Sequence, residues 1–169
     1  LGGVWRGCLD LQRLGLIEKP PRFCGVQASG CPPFVKAIED NTPFMETLKH
    51  PWPNPKTIAG GIADDIIFDG HTALPAVRQT NGTALDVDDT EIMDGLLLLA
   101  RSEGLLCEPT CAVVIAALEH MKEMAAGSTV GFLPSRATPS RAPRSGRHGA
   151  RGSSRCPDST PAPGGPARS

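Results

Sequence analysis

The 169-residue chain has no C-x-x-C pair among its six cysteines, Cys8, Cys24, Cys31, Cys107, Cys111 and Cys156. Zinc sites draw paired ligands at short spacing, and none of the four histidines falls into register with these thiols, so no metal site is expected. No charged segment followed by an apolar one opens the chain, so no signal peptide is expected. The longest uncharged apolar run, Cys111–Leu118, falls far short of the roughly 20 residues that a membrane helix needs. These absences set the expectation of a soluble, cytoplasmic protein with no membrane partner, whose cysteines are small buried hydrophobes in a reducing compartment. The chain opens on Leu1 in mid-pattern, so its true start is expected to lie upstream.

Apolar residues are also missing from the end of the chain. From Pro134 to Ser169 there are seven Pro, seven Arg, seven Ser and five Gly, with no Leu, Ile, Val or Phe. Asp158 is the only acid there, so this tail carries about +6. Of the chain's 17 basic and 18 acidic residues, 10 and 17 remain for 1–133, or about −7. Such a tail cannot bury enough apolar surface to offset its ordering entropy and is expected to be disordered. The expected division is residues 1–130 as one α/β domain, incomplete on its own, and 131–169 as the basic tail. Function is to be sought in the first part.

Within it, apolar and structure-breaking residues alternate in a regular way. Val4–Leu16 carries apolar residues at helical spacing and closes near Gly15. Arg22–Ala28 is short and apolar and ends at Ser29-Gly30, as a strand does. Pro32-Pro33 can open a helix over Phe34–Glu39, because proline suits the first helical turn. Asn41–Pro55 is rich in proline and reads as a surface loop. Thr57–Ile67 holds the pair Gly60-Gly61 inside an apolar stretch, which argues against an ordinary helix or strand interior. Thr72–Gln79 reads as a helix stopped by Thr80-Asn81-Gly82, and Thr83–Val87 as a strand. Asp88 followed by Glu91 resembles a capping box opening a helix over Thr90–Ser102. Leu105–Cys107 reads as a further short strand, and Cys111–Met124 as a strongly apolar helix. Strands alternating with helices of this size predict an α/β fold, a partial open parallel sheet with helices on both faces.

Several segments carry candidate chemistry, each beside a plainer reading. Gly60-Gly61 lets backbone approach a flat ring or a phosphate, although a simple bend would use the same pair. Glu108-Pro109-Thr110 joins a strand end to a helix start and offers free backbone N–H groups and a hydroxyl to an anionic or aromatic ligand. The plainer role of Thr110 is to cap that helix. Asp86, Asp88, Asp89 and Glu91 lack the central Gly and closing Glu of a calcium loop, so capping explains them better. Asp64, Asp65 and Asp69 read as a loop rim. His71 and His120 show no obvious partner and read as surface or packing residues. Lys19, Lys36, Lys49, Lys56 and Lys122 all stand in polar contexts, so none is marked for Schiff-base chemistry and no catalytic residue is assigned.

Taken in order, these segments resemble threonine synthase. The resemblance runs through Gly2-Gly3-Val4-Trp5-Arg6-Gly7, Leu14-Gly15-Leu16-Ile17 and Pro21-Arg22-Phe23-Cys24-Gly25-Val26-Gln27-Ala28-Ser29-Gly30. It continues in Pro55-Lys56-Thr57-Ile58-Ala59-Gly60-Gly61-Ile62-Ala63, Gly82-Thr83-Ala84 and Arg101-Ser102-Glu103-Gly104-Leu105-Leu106-Cys107-Glu108-Pro109-Thr110. It spans nearly all of Leu1 to about Ala126, and the ordered set is far more specific than any one motif. The resemblance implies the tryptophan synthase β-like fold and pyridoxal phosphate, held by a lysine as a Schiff base, in the parent enzyme. It implies conversion of O-phosphohomoserine and water to threonine and phosphate, a small amino-acid substrate, and a homodimeric parent.

It also implies that the lysine and the phosphate-cradling loop lie upstream of Leu1. A strand begun at Gly127-Ser128-Thr129-Val130 would lead toward the contact with the pyridine nitrogen, but Gly131-Phe132-Leu133-Pro134 departs from the family's pattern. By the same analogy Ala59, Gly60 and Gly61 lie near the cofactor ring, and Glu108 and Thr110 at the site wall. This chain is therefore expected to be a C-terminal portion, inactive alone. One alternative is a pyridoxal-phosphate-dependent serine/threonine dehydratase, whose Thr-Ile-Ala and Glu-Pro-Ser/Thr segments are similar. The first 30 residues favour threonine synthase. An alternative of another class is a non-catalytic protein whose basic tail binds nucleic acid through phosphates. No aromatic residue stands in the tail to stack on bases, so nucleic acid is not the expected partner.

Overall fold

The structure, a computed structural model, describes residues 1–132. The basic segment from Pro134 onward, expected to be disordered, lies outside the described residues, as does Cys156. Helix α1 (Gly2–Arg13) leads to strand β1 (Cys24–Ala28), then α2 (Pro33–Glu39) and the single turn α3 (Phe44–Thr47). A 3-10 turn at Gly60–Ile62 precedes α4 (Gly70–Gln79), strand β2 (Thr83–Val87) and α5 (Asp89–Glu103). Helices α6 (Pro109–His120) and α7 (Lys122–Ala125) follow.

The two strands pair in parallel with Cys24 opposite Thr83 and Ala28 opposite Val87. Side chains alternate across a strand, and that period sorts the strand residues into two cores. Cys24, Val26, Ala28, Leu85 and Val87 join Ile92, Leu99, Cys111, Val113 and Ala117 of α5 and α6. Ala84 faces the other way, with Phe23, toward Trp5, Phe34, Ala73, Leu74 and Val77 of α1, α2 and α4. On that second side Gln27 turns its side-chain carbonyl onto the start of α2, accepting from the N–H groups of Phe34 (2.7 Å) and Val35 (3.2 Å). Helices therefore cover both faces of an unclosed parallel sheet, as the sequence pattern predicts. Val87 and Ile92 are fully buried, and each such side chain stabilises the fold by about 1.5–3 kcal/mol.

The differences from the sequence expectations have local causes. Pro43 stands at the N-cap of α3, so the proline-rich stretch Asn41–Pro55 contains one helical turn where only loop is expected. Leu105–Cys107 is not a strand: Cys107 forms a single bridge, while Leu105 and Leu106 face outward. The helix expected over Cys111–Met124 breaks at Met121, whose backbone leaves the helical region at φ −101° and ψ 5°. Gly127–Val130 forms no strand.

Candidate functional site

Both strands end on the same side, at Ala28 and Val87, and the ladder runs one residue further as the Ser29 N–H donates to the Val87 carbonyl (2.9 Å). The carboxyl ends of parallel strands are where α/β sheets open a crevice. The segment 56–63 passes across this end and is fastened in turn to three junctions between strands and helices.

The first junction is Gly30. The Lys56 N–H donates to the Gly30 carbonyl (3.3 Å), and a Cβ at Gly30 would sit 1.8 Å from the Lys56 carbonyl oxygen. Only glycine permits two backbones to approach so closely. The second junction is the start of α5. The Thr57 hydroxyl donates to Asp89 Oδ1 (2.6 Å), and the Ile58 N–H lies 3.2 Å from each carboxylate oxygen. Thr57 Oγ1 in turn accepts from the Ala59 N–H (3.1 Å). The third junction is the start of α6, where the Gly61 N–H donates to Thr110 Oγ1 (3.1 Å).

The sequence-identified residues fall into this arrangement as follows. Ala59 is fully buried in the core shared with α5 and α6. Gly60 is exposed, and a Cβ there would meet nothing within 4 Å. Gly61 backs onto Thr110, where a Cβ would come within 2.8 Å of Oγ1 and 3.2 Å of Cγ2. Ala59, Gly60, Gly61 and Thr110 are thus brought together although 49 residues separate Gly61 from Thr110. Glu108 is half-buried at the N-cap of the same helix, with extended backbone, and its side chain makes no capping bond to α6. Thr110 is not the helix cap either, because its hydroxyl accepts from the Gly61 amide instead.

Asp89 is the residue that sequence reasoning missed. Asp88 and Glu91 do form the expected capping box, with Asp88 accepting from Thr90 and Glu91 and the Glu91 carboxylate accepting from the Asp88 N–H. That box consumes one aspartate of the Asp88-Asp89 pair and leaves the second without a capping task, which is the signal that was available. The histidines do have partners. His120 Nε2 lies 2.6 Å from Glu91 Oε1, joining the end of α6 to the capping box of α5. His71 lies beside Arg6 (3.4 Å), near Asp69 (4.0 Å) and the Phe44 ring.

The buried thiols are poor nucleophiles. Burial, and after it the charges of Asp64 and Asp65, pushes the Cys31 thiol up, while the thiol itself donates to the Asp64 carbonyl (3.0 Å). Burial, and then the neighbouring Cys111, pushes Cys107 up. Thiolate chemistry needs the opposite shift. Among the described residues no group of three or more His, Cys, Asp or Glu side chains is placed to hold a metal. Among the same residues no helix is long and apolar enough to cross a membrane.

The sequence profile of the family described as "Pyridoxal-phosphate dependent enzyme" matches residues 1–135. The threonine synthase of Methanosarcina acetivorans is 35% identical over 121 residues, which are 72% of this chain and 29% of that protein. The threonine synthase of Methanocaldococcus jannaschii is 34% identical over 125 residues, 73% of this chain and 29% of that one. The threonine synthase of Mycobacterium tuberculosis (H37Rv) is 36% identical over 129 residues, 75% and 32% respectively. The chain thus spans about a third or less of the length of these relatives. Among solved structures, maize serine racemase superposes with a TM-score of 0.55 at 20% identity, over 75% of this chain and 36% of that one. A bacterial threonine deaminase, from the organism abbreviated T.th., superposes with a TM-score of 0.52 at 18% identity, over 72% and 41%. At such identities the superpositions show a shared fold.

Proposed function

The chain belongs to the pyridoxal-phosphate-dependent enzymes, and on that premise we propose that it is the part of a threonine synthase that forms one wall of the cofactor site. The observation that carries this reading is the Ala59–Gly61 turn latched to Thr110 at the carboxyl ends of a parallel sheet. Its relatives at 34–36% identity are threonine synthases, which supports O-phosphohomoserine and water as the parent's substrates and threonine and phosphate as its products. The same reading gives the parent a cytoplasmic setting and a homodimeric assembly. The dehydratase alternative rests on fold likeness, at 18–20% identity, and so adds nothing about the reaction.

The residues present fit one requirement of the cofactor and not another. When bound, pyridoxal phosphate serves as an electron sink for a substrate carbanion. The open space beside Gly60 suits a flat ring, and the Gly61–Thr110 bond holds the turn's backbone against movement. Glu108 stands at the same helix start and completes that wall. The covalent holder does not fit. All five lysines are exposed, and Lys36, Lys49 and Lys122 are engaged with Glu39 and Asp40, with Glu46, and with Glu119. A lysine that forms a covalent link to a cofactor is activated by a desolvated apolar pocket or a cationic neighbour, and none of the five is buried in such a pocket. No catalytic step is routed through this chain alone, and the isolated chain is inactive in this reading.

Segment exchange tests it. Residues 1–126 replace the matching stretch of the Methanosarcina acetivorans threonine synthase, and the chimera is assayed with O-phosphohomoserine. Threonine formation is the expected result. A folded chimera that holds pyridoxal phosphate yet makes no threonine, or that deaminates threonine instead, would contradict the reading.

A further inference from the structure

We propose that Asp89 is a positioning residue of this site, acting through Thr57 to present the Ala59–Gly61 backbone to a planar ligand. The proposal deepens the functional reading above and rests on it for the claim that this turn faces the ligand. Three observations carry it. Asp89 is not the residue that caps its own helix, since Asp88 and Glu91 satisfy the first-turn donors of α5 between them. Both of its oxygens are instead committed to the 57–58 backbone and hydroxyl. The Thr57 hydroxyl, finally, works as a relay: it donates its proton to Asp89 and accepts the Ala59 N–H on its lone pairs.

These contacts have a clear physical consequence. Hydrogen bonds to a carboxylate are roughly twice as strong as neutral ones. A negative charge in the first turn of α5 is also favoured by the helix dipole, so the carboxylate is stabilised in place without the loop. The relay then ties the amides of Ile58 and Ala59 to the start of α5, while Thr110 ties the amide of Gly61 to the start of α6. Ala59 is buried between them. The turn is therefore set from both ends before any ligand arrives, and such preorganisation spares the ligand the cost of ordering it.

Amide hydrogen exchange followed by NMR on the full 169-residue chain tests the proposal without cofactor. Asp89→Asn leaves a neutral acceptor, Thr57→Val keeps the shape and removes the hydroxyl, and Thr57→Ser restores it. Exchange at Ile58 and Ala59 is expected to rise about tenfold in Asp89→Asn and Thr57→Val, the change that loss of a hydrogen bond of ordinary strength produces. Gly61 should follow, Thr57→Ser should match the parent sequence, and the buried amides of Ile92 and Leu99 in α5 should not change. Parent-like exchange at Ile58 and Ala59 in folded Thr57→Val would overturn the proposal. Equal acceleration at Ile92 and Leu99 would overturn it too, because Asp89 would then be a general stabiliser. Should Asp89→Asn fail to fold, the Thr57→Val and Thr57→Ser pair decides alone. A failed chimera beside the expected exchange pattern would remove the enzymatic reading and leave the clamp; a working chimera beside unchanged exchange would remove only the clamp.

Discussion

Two glycines at the site carry opposite constraints. A Cβ at Gly30 would lie 1.8 Å from the Lys56 carbonyl oxygen, an atom of the backbone that cannot rotate away. A Cβ at Gly60 would meet nothing within 4 Å. Gly30→Ala is therefore expected to push the 56–58 segment off the strand end and to cost about 1–3 kcal/mol, as overpacking does. Gly60→Ala is expected to stay within about 0.5 kcal/mol of the parent chain, as surface substitutions do. Urea unfolding of the two variants checks this, with the midpoint read at constant slope. Equal stability losses would mean that the close approach at Gly30 does not govern the loop's position.

At the scale of elements, α5 concentrates the local signals. Its N-terminus carries the Asp88–Glu91 capping box, its C-terminus closes on Gly104 in the left-handed region (φ 66°), and Glu91 links onward to His120 of α6. Asp88→Ala should destabilise the chain by about 1 kcal/mol, the usual cost of losing an N-cap, again read from the urea midpoint. No change would mean that the Glu91–His120 contact, rather than the cap, holds this end. Such signals were legible in the sequence because each rests on residues within one turn of each other. The same is true of the stop at Gly15, which has φ 70°, and of the period-two alternation in β1 and β2. Leu105–Cys107 misled because an apolar run looks the same whether or not a strand pairs with it. The site was legible only through family resemblance: the meeting of Gly61 with Thr110 depends on how β1, β2, α5 and α6 stack, and no local spacing encodes that. Asp89 stayed hidden because capping appeared to explain its whole cluster.

The molecule as a whole is a partial assembly by comparison with its relatives. The described residues hold two parallel strands with helices on both faces, and the chain spans 29–32% of the threonine synthases it matches. It carries the turn that would face the cofactor ring and the two helix starts that fix that turn. The covalent holder has no counterpart among its five lysines, each of which is exposed. Lys56 is the nearest of them in sequence to Gly60-Gly61, yet its side chain too is directed to solvent.

The central claim, one wall of a pyridoxal-phosphate site without the lysine that holds the cofactor, is tested most directly by trapping. The purified 169-residue chain is titrated with pyridoxal phosphate, reduced with borohydride, and weighed intact. The account predicts no stoichiometric adduct at a single lysine. One adduct per chain, mapped to one lysine and abolished when that lysine becomes arginine, would contradict it.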